Sequence, residues 1–200
     1  MAAKHRAVPG LPTGTVTFLF TDIEGSTRLW ETNHDAMRMA LARHDEILRK
    51  CIDAQRGHVF KTGGDAFCAA FDNARDAVHS ALAAQLALSA EAWPESNRIL
   101  VRMALHSGAA ELRQGDYFGP PLNYVSRLLT VGHGGQTLLS ETTRDLCRDR
   151  LPLGAVVQSL GEYGDLAKPY LPQLERAAAV ETNPNVQQIM LATVAGLSKR

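Results

Sequence analysis

Two aspartates stand where apolar runs end. Residues 15–21, Thr-Val-Thr-Phe-Leu-Phe-Thr, are β-branched and aromatic and read as a buried strand, and Asp22 follows directly. Residues 58–62 and 66–71 flank Gly63-Gly64-Asp65, the pattern of a β-hairpin with Asp65 at its tip. If the two strands are sheet neighbours, the carboxylates meet and outline a site for a hard divalent ion. Such ions take a few carboxylate oxygens and complete their shell with water and phosphate, whereas zinc would call for His or Cys. The turn after Asp22 adds Gly25, Ser26 and Thr27 at the start of a helix, where backbone N–H groups favour an anion. Taken singly, Asp22 reads as a helix cap and Asp65 as a turn residue. Taken together with that turn, they outline a two-metal phosphoryl-transfer site.

The elements that must position these groups follow from local signals. After Leu29 a helical spacing runs through Met37, Leu41, Ile47, Leu48 and Ile52, with a break expected near Thr32-Asn33 and a stop at Gly57. Alanine-rich residues 73–92 predict the clearest helix, with Asn73 as its N-cap and Pro94 beyond its end. Residues 99–106 predict a strand, with 109–113 pairing back onto it and 114–121 as a loop. The next helix carries Leu122, Val125, Leu128 and Leu129 on one face, and Asn123 and Arg127, four residues apart, on another. A short strand at 136–139, a helix capped by Ser140 and running through Cys147, and a strand at 155–160 complete the order. That mixed order predicts an α+β fold, with helices packed on a mainly antiparallel sheet.

Composition excludes several alternatives. In 200 residues, 21 Lys plus Arg balance 21 Asp plus Glu, so no general electrostatic attraction to nucleic acid or an acidic membrane is expected. No apolar run reaches the length of a membrane span, which predicts a soluble cytoplasmic chain. Cys51, Cys68 and Cys147 are too scattered for a disulfide framework or a zinc site and read as buried thiols. Trp30 and Trp93 read as packing residues.

Three ordered segments resemble the signatures of class III nucleotide cyclases: Phe20-Thr-Asp-Ile-Glu-Gly-Ser-Thr27, Phe60-Lys-Thr-Gly-Gly-Asp65 and Asp116-Tyr-Phe-Gly-Pro-Pro-Leu-Asn-Tyr-Val-Ser-Arg127. The resemblance spans about residues 14–165. It implies a ferredoxin-like palm domain, dimerised head to tail with its active sites in the cleft between protomers. Asp22 and Asp65, with the backbone carbonyl of Ile23, match the residues that hold two Mg²⁺ or Mn²⁺ ions per active site. Asn123 matches the residue that orients the ribose, and Arg127 the one that stabilises charge on the α-phosphate. Lys61 and Asp116 match the base-reading pair. A lysine donates to adenine N1 and an aspartate accepts from the N6 amine, so ATP is expected over GTP.

The expected function is therefore a homodimeric adenylate cyclase, a phosphorus–oxygen lyase forming 3′,5′-cyclic AMP and pyrophosphate, with neither nucleic acid nor membrane as partner. The alternatives are a cyclase-like regulatory or dimerisation module without turnover, and a guanylate cyclase. Gly63-Gly-Asp-Ala-Phe67 also resembles the hairpin of diguanylate cyclases, but Ala66 stands where those carry an acidic residue, and they lack the Asn-x-x-x-Arg helix. The expected organisation is a lead-in at 1–13, a catalytic domain at 14–170 and an extension at 171–200. Where the family has a basic turn near the terminal phosphates, this chain has residues 160–169, with Lys168 as the available cation.

Overall fold

The computed structural model describes residues 10–94 and 98–147. Its elements are β1 (Thr15–Ile23), α1 (Ser26–Thr32), α2 (His34–Ala54), β2 (His58–Gly63), β3 (Ala66–Phe71), α3 (Ala74–Ala90), β4 (Val101–Ala109), β5 (Glu111–Arg113), β6 (Asp116–Phe118), α4 (Pro120–Thr130), β7 (Thr137–Leu139) and α5 (Glu141–Cys147). The strand expected at 155–160, the turn at 160–169, the extension at 171–200 and residues 1–9 of the lead-in lie outside the described residues.

Five strands form one sheet in the order β2-β3-β1-β4-β7. β1 is central, antiparallel to both β3 and β4; β2 is antiparallel to β3, and the edge strand β7 runs parallel to β4. The expected α+β fold with a mainly antiparallel sheet is what the chain adopts.

Alternation divides the side chains of β1 between two faces. Val16 and Phe18 join Ala70, Ala104 and Tyr117 in a buried cluster with Val125 and Leu129 of α4. Leu19, Thr21 and Ile23 face the other way, where His44 of α2 meets the edge of Phe67 at 5.8 Å between ring centroids. α4 thus covers one face, and α2, α3 and α5 the other.

Helix boundaries follow the expected caps. Asn33 leaves helical geometry at φ −155° and its side chain accepts from Ala36 N at 3.0 Å, so one residue ends α1 and starts α2. Asn73 caps α3 in the same way at 2.9 Å from Asp76 N, and the Ser140 hydroxyl accepts from Thr143 N at 3.3 Å. Trp93 packs with its indole N–H on the Leu88 carbonyl at 2.8 Å. Among the described residues no helix is long and apolar enough to cross a membrane.

One expectation is corrected. Residues 109–113 do not fold back on β4, which itself extends through Ala109, and 114–121 is not all loop. Instead β5 pairs with β6 in a separate two-stranded sheet, joined by Gln114 and Gly115, both at positive φ. Two such residues suit the right-handed twist of a short hairpin. The alternation of residues 111–118 and the Gln-Gly pair carried that signal in the sequence.

Candidate active site

The site is built on the α4-covered face of the sheet. Phe18, Phe20 and Asp22 share one face of β1, and the register pairs Asp22 with Arg102, Phe20 with Ala104 and Phe18 with His106 on β4. Asp22 therefore ends an otherwise apolar row. Its Oδ2 accepts from Arg102 Nη2 at 2.5 Å and from Nε at 3.2 Å, and both side chains are about three-quarters buried, at 27% exposure each.

Asp65 reaches the same end of the sheet through its hairpin. Gly64, at φ +62°, takes the left-handed conformation the tight turn requires. Asp65 Oδ2 then accepts from the backbone N–H of Ile23 at 3.0 Å, the residue next to Asp22. Two carboxylates and a neighbouring backbone carbonyl would offer only oxygen donors, the kind that Mg²⁺ or Mn²⁺ takes. No group of three or more His, Cys, Asp or Glu that could hold a metal ion is present among the described residues.

A β-bulge positions Lys61. Val59 pairs with Ala69 and Lys61 with Cys68, so Phe60 is the extra residue. Cys68 lies opposite Phe20, which puts Lys61 on the α4-covered face together with Phe60, although adjacent residues of a regular strand point to opposite faces. Phe60 is clamped edge-on by Phe18 and Tyr117, with centroids 6.0 and 4.9 Å away. Lys61 Nζ consequently lies 3.3 Å from Asp116 Oδ2 on β6. The other Asp116 oxygen accepts from Tyr117 N at 2.8 Å, and the Tyr117 hydroxyl donates to the Pro12 carbonyl at 2.7 Å, which anchors β6. Cys68, beside this pair, has its thiol pushed up to about 11, chiefly by burial.

Gly25 precedes α1 at φ +66° and caps it without a side-chain hydrogen bond. α4 begins with Pro120-Pro121 at its first turn, and a Cβ on Gly108 would sit 2.7 Å from Pro121 Cγ, so glycine permits the helix to approach β4 this closely. Asn123 and Arg127 lie on the exposed side of α4. Among the described residues neither side chain has a hydrogen-bond or ion-pair partner, and neither is bonded to Asp22 or Asp65. The structure thus ties Asp65 to the backbone of Ile23, the residue after Asp22, sets Lys61 beside Asp116, and leaves Asn123 and Arg127 on the exposed side of α4.

Sequence reasoning missed Arg102. A basic residue inside the apolar run 99–105 was a signal, since a buried cation needs a partner.

The chain matches the family described as the adenylate and guanylate cyclase catalytic domain over residues 8–163. It is 40% identical over 154 residues to an uncharacterized protein of Mycobacterium tuberculosis, covering 76% of this chain and 52% of that protein. It is 35% identical over 163 residues to an adenylate cyclase of Lachancea kluyveri, covering 69% of this chain and 9% of that enzyme. The chain therefore spans about half the length of the mycobacterial relative and a small part of the other. Among solved structures, one from a structural analysis of Trypanosoma brucei adenylate cyclases in their monomeric state superposes with TM-score 0.64 at 29% identity, covering 68% of this chain and 78% of that one.

Proposed function

Since this chain belongs to the adenylate and guanylate cyclase catalytic domain family, we propose that it is an adenylate cyclase, converting ATP to 3′,5′-cyclic AMP and pyrophosphate at sites shared between two copies. The observation that carries the choice of ATP is the 3.3 Å contact between Lys61 Nζ and Asp116 Oδ2. A cation donor and an anionic acceptor held side by side complement adenine, which offers an acceptor at N1 and a donor at N6. Guanine presents the reverse polarity at both positions and would leave each protein group facing its own kind.

Asp22 and Asp65, with the Ile23 carbonyl, would hold two Mg²⁺ or Mn²⁺ ions. When bound, these ions lower the pKa of the ribose 3′-hydroxyl and neutralise the triphosphate. Arg102 pairs with Asp22; with a cation held at the carboxylate, its guanidinium would be available to a phosphate oxygen. The backbone N–H groups of Ser26 and Thr27, after Gly25, can donate to a further phosphate oxygen.

Asn123 and Arg127 supply the remaining groups, Asn123 to orient the ribose and Arg127 to bind the α-phosphate as the 3′-oxygen attacks and pyrophosphate leaves. Their outward direction supports delivery from a second copy. So does the apolar surface around them, where Phe118, Tyr124 and Val131 are 47%, 52% and 67% exposed.

The test is incubation of the purified chain with Mn²⁺ and either ATP or GTP over a range of protein concentrations. Cyclic AMP, formed with a specific activity that rises with protein concentration, is the expected result. Preferential cyclic GMP would reverse the substrate assignment, and no product from either nucleotide at any concentration would favour a regulatory module.

A further inference from the structure

Four buried hydroxyls connect the two layers of the fold and end on a histidine. Thr17 Oγ1 lies 2.8 Å from Ser107 Oγ, Ser107 Oγ lies 3.0 Å from Thr143 Oγ1, Thr143 Oγ1 lies 3.1 Å from Ser140 Oγ, and Ser140 Oγ lies 2.8 Å from His106 Nδ1. All four hydroxyl residues are at most 4% exposed. Ser107 and His106 are adjacent on β4 and face opposite sides of the sheet. Ser140, at the end of the edge strand β7, carries the chain around that edge to the α4 side.

One direction of the bonding satisfies every member. If each hydroxyl donates toward the histidine, every proton along the chain has an acceptor, and Ser140 Oγ accepts from both Thr143 Oγ1 and Thr143 N. Run the other way, the Thr17 proton has no acceptor along the chain. That direction ends on His106 Nδ1 as acceptor, and the ring plane is held by a chain of groups from β1, β4 and α5.

That ring carries a helix. Tyr124 of α4 stacks on His106 with centroids 4.3 Å apart and planes 25° from parallel. Two residues along the same face of β4, Gly108 meets Pro121. Pro121, Val125 and Leu129 form the buried ridge of α4, with Leu122 and Leu128 partly buried beside it. The stack lies on the flank of that ridge. Tyr124 adjoins Asn123 and is three residues from Arg127, so any roll moves all three together.

We propose that His106 is a positioning residue for α4: the buried hydroxyl chain fixes its ring, and the ring, by supporting Tyr124, sets the direction in which Asn123 and Arg127 point. This rests on the role given above to Asn123 and Arg127. The experiment compares the intact chain with His106→Leu, Tyr124→Ala and Tyr124→Phe by amide hydrogen exchange over residues 120–130, by kcat and KM for ATP with Mn²⁺, and by thermal midpoint.

In His106→Leu and Tyr124→Ala, exchange within α4 is expected to accelerate about tenfold while β1 and β3 keep their protection. Their kcat should fall about tenfold to a hundredfold, with KM within about twofold of the parent, because a displaced Arg127 loses transition-state contact before it loses ground-state binding. Tyr124→Phe keeps the ring and should restore both readouts.

Unchanged α4 exchange in both disruptive variants overturns the proposal, and so does faster exchange with unaltered kcat. Should His106→Leu fail to fold, Tyr124→Ala, at a half-exposed position, decides the matter. If the parent chain makes no cyclic product, the cyclase reading fails by itself, and the exchange arm still decides whether His106 holds α4.

Discussion

Arg102 and Asp22 face each other across neighbouring strands, with Nη2 2.5 Å from Oδ2, and that contact occupies a carboxylate expected to bind a cation. A guanidinium and a divalent ion cannot both sit on the same oxygen without mutual repulsion, so the two must compete.

Removing the competitor has a measurable consequence. A partly exposed ion pair of this kind contributes about 1 kcal/mol, so Arg102→Ala should tighten Mn²⁺ binding in the absence of nucleotide by about fivefold, read by isothermal titration. The same substitution should raise KM for ATP if Arg102 meets a phosphate oxygen as proposed. Mn²⁺ affinity equal to that of the parent would show that the pair does not guard the metal site.

The proposed sharing of the site between copies predicts complementation. Asp22→Ala and Arg127→Ala should each lose activity by more than about a hundredfold. In an equal mixture, random pairing makes half the dimers mixed, each with one intact cleft of two, so about a quarter of the parent activity should return. Demonstrated heterodimers without recovered activity would exclude a shared cleft.

Base selectivity should follow the polarity of one pair. Lys61→Glu combined with Asp116→Ser replaces a donor by an acceptor and an acceptor by a donor, and should shift the ATP/GTP ratio of kcat/KM toward GTP by about tenfold or more. Lys61 is 62% exposed, so the fold should hardly notice. A constant ratio would remove Lys61 and Asp116 from base recognition.

Acid sensitivity should trace in part to His44. This side chain is fully buried, its Nε2 finds no partner among the described residues, and burial holds its pKa below the ordinary 6.5 despite the opposing pull of Asp45. The unfolded chain then binds the proton at higher pH than the folded one. Stability from this group is complete above about 6.5 and declines as pH falls from there toward the folded value, by at most about 1.4 kcal/mol per pH unit for one proton. Burial shifts His79 and His106 in the same direction, so they contribute too. Thermal midpoints between pH 7 and 5 should fall less steeply in His44→Leu than in the parent, and identical slopes would acquit His44.

Much of the fold was legible because its signals are local. The β-branched run before Asp22, the Gly63-Gly64 turn before Asp65 and the apolar spacing of Val125 and Leu129 each constrain a few adjacent residues, and the elements formed where those signals stand. The hairpin of β5 and β6 was missed because its strands are three residues each, too short for periodicity to separate them from a loop.

From sequence alone came the chemistry available: two acids at apolar strand ends, a lysine before the glycine turn, and an asparagine and arginine one helical turn apart. Tertiary structure decided which of these groups meet. The bulge at Phe60 turns Lys61 toward Asp116, and strand register over 80 residues sets Arg102 against Asp22. The buried hydroxyl chain that ends at His106 draws its members from three distant segments. Register and bulges are set by how whole faces pack against α4 and α2, a sum over many contacts that no short stretch of residues encodes by itself.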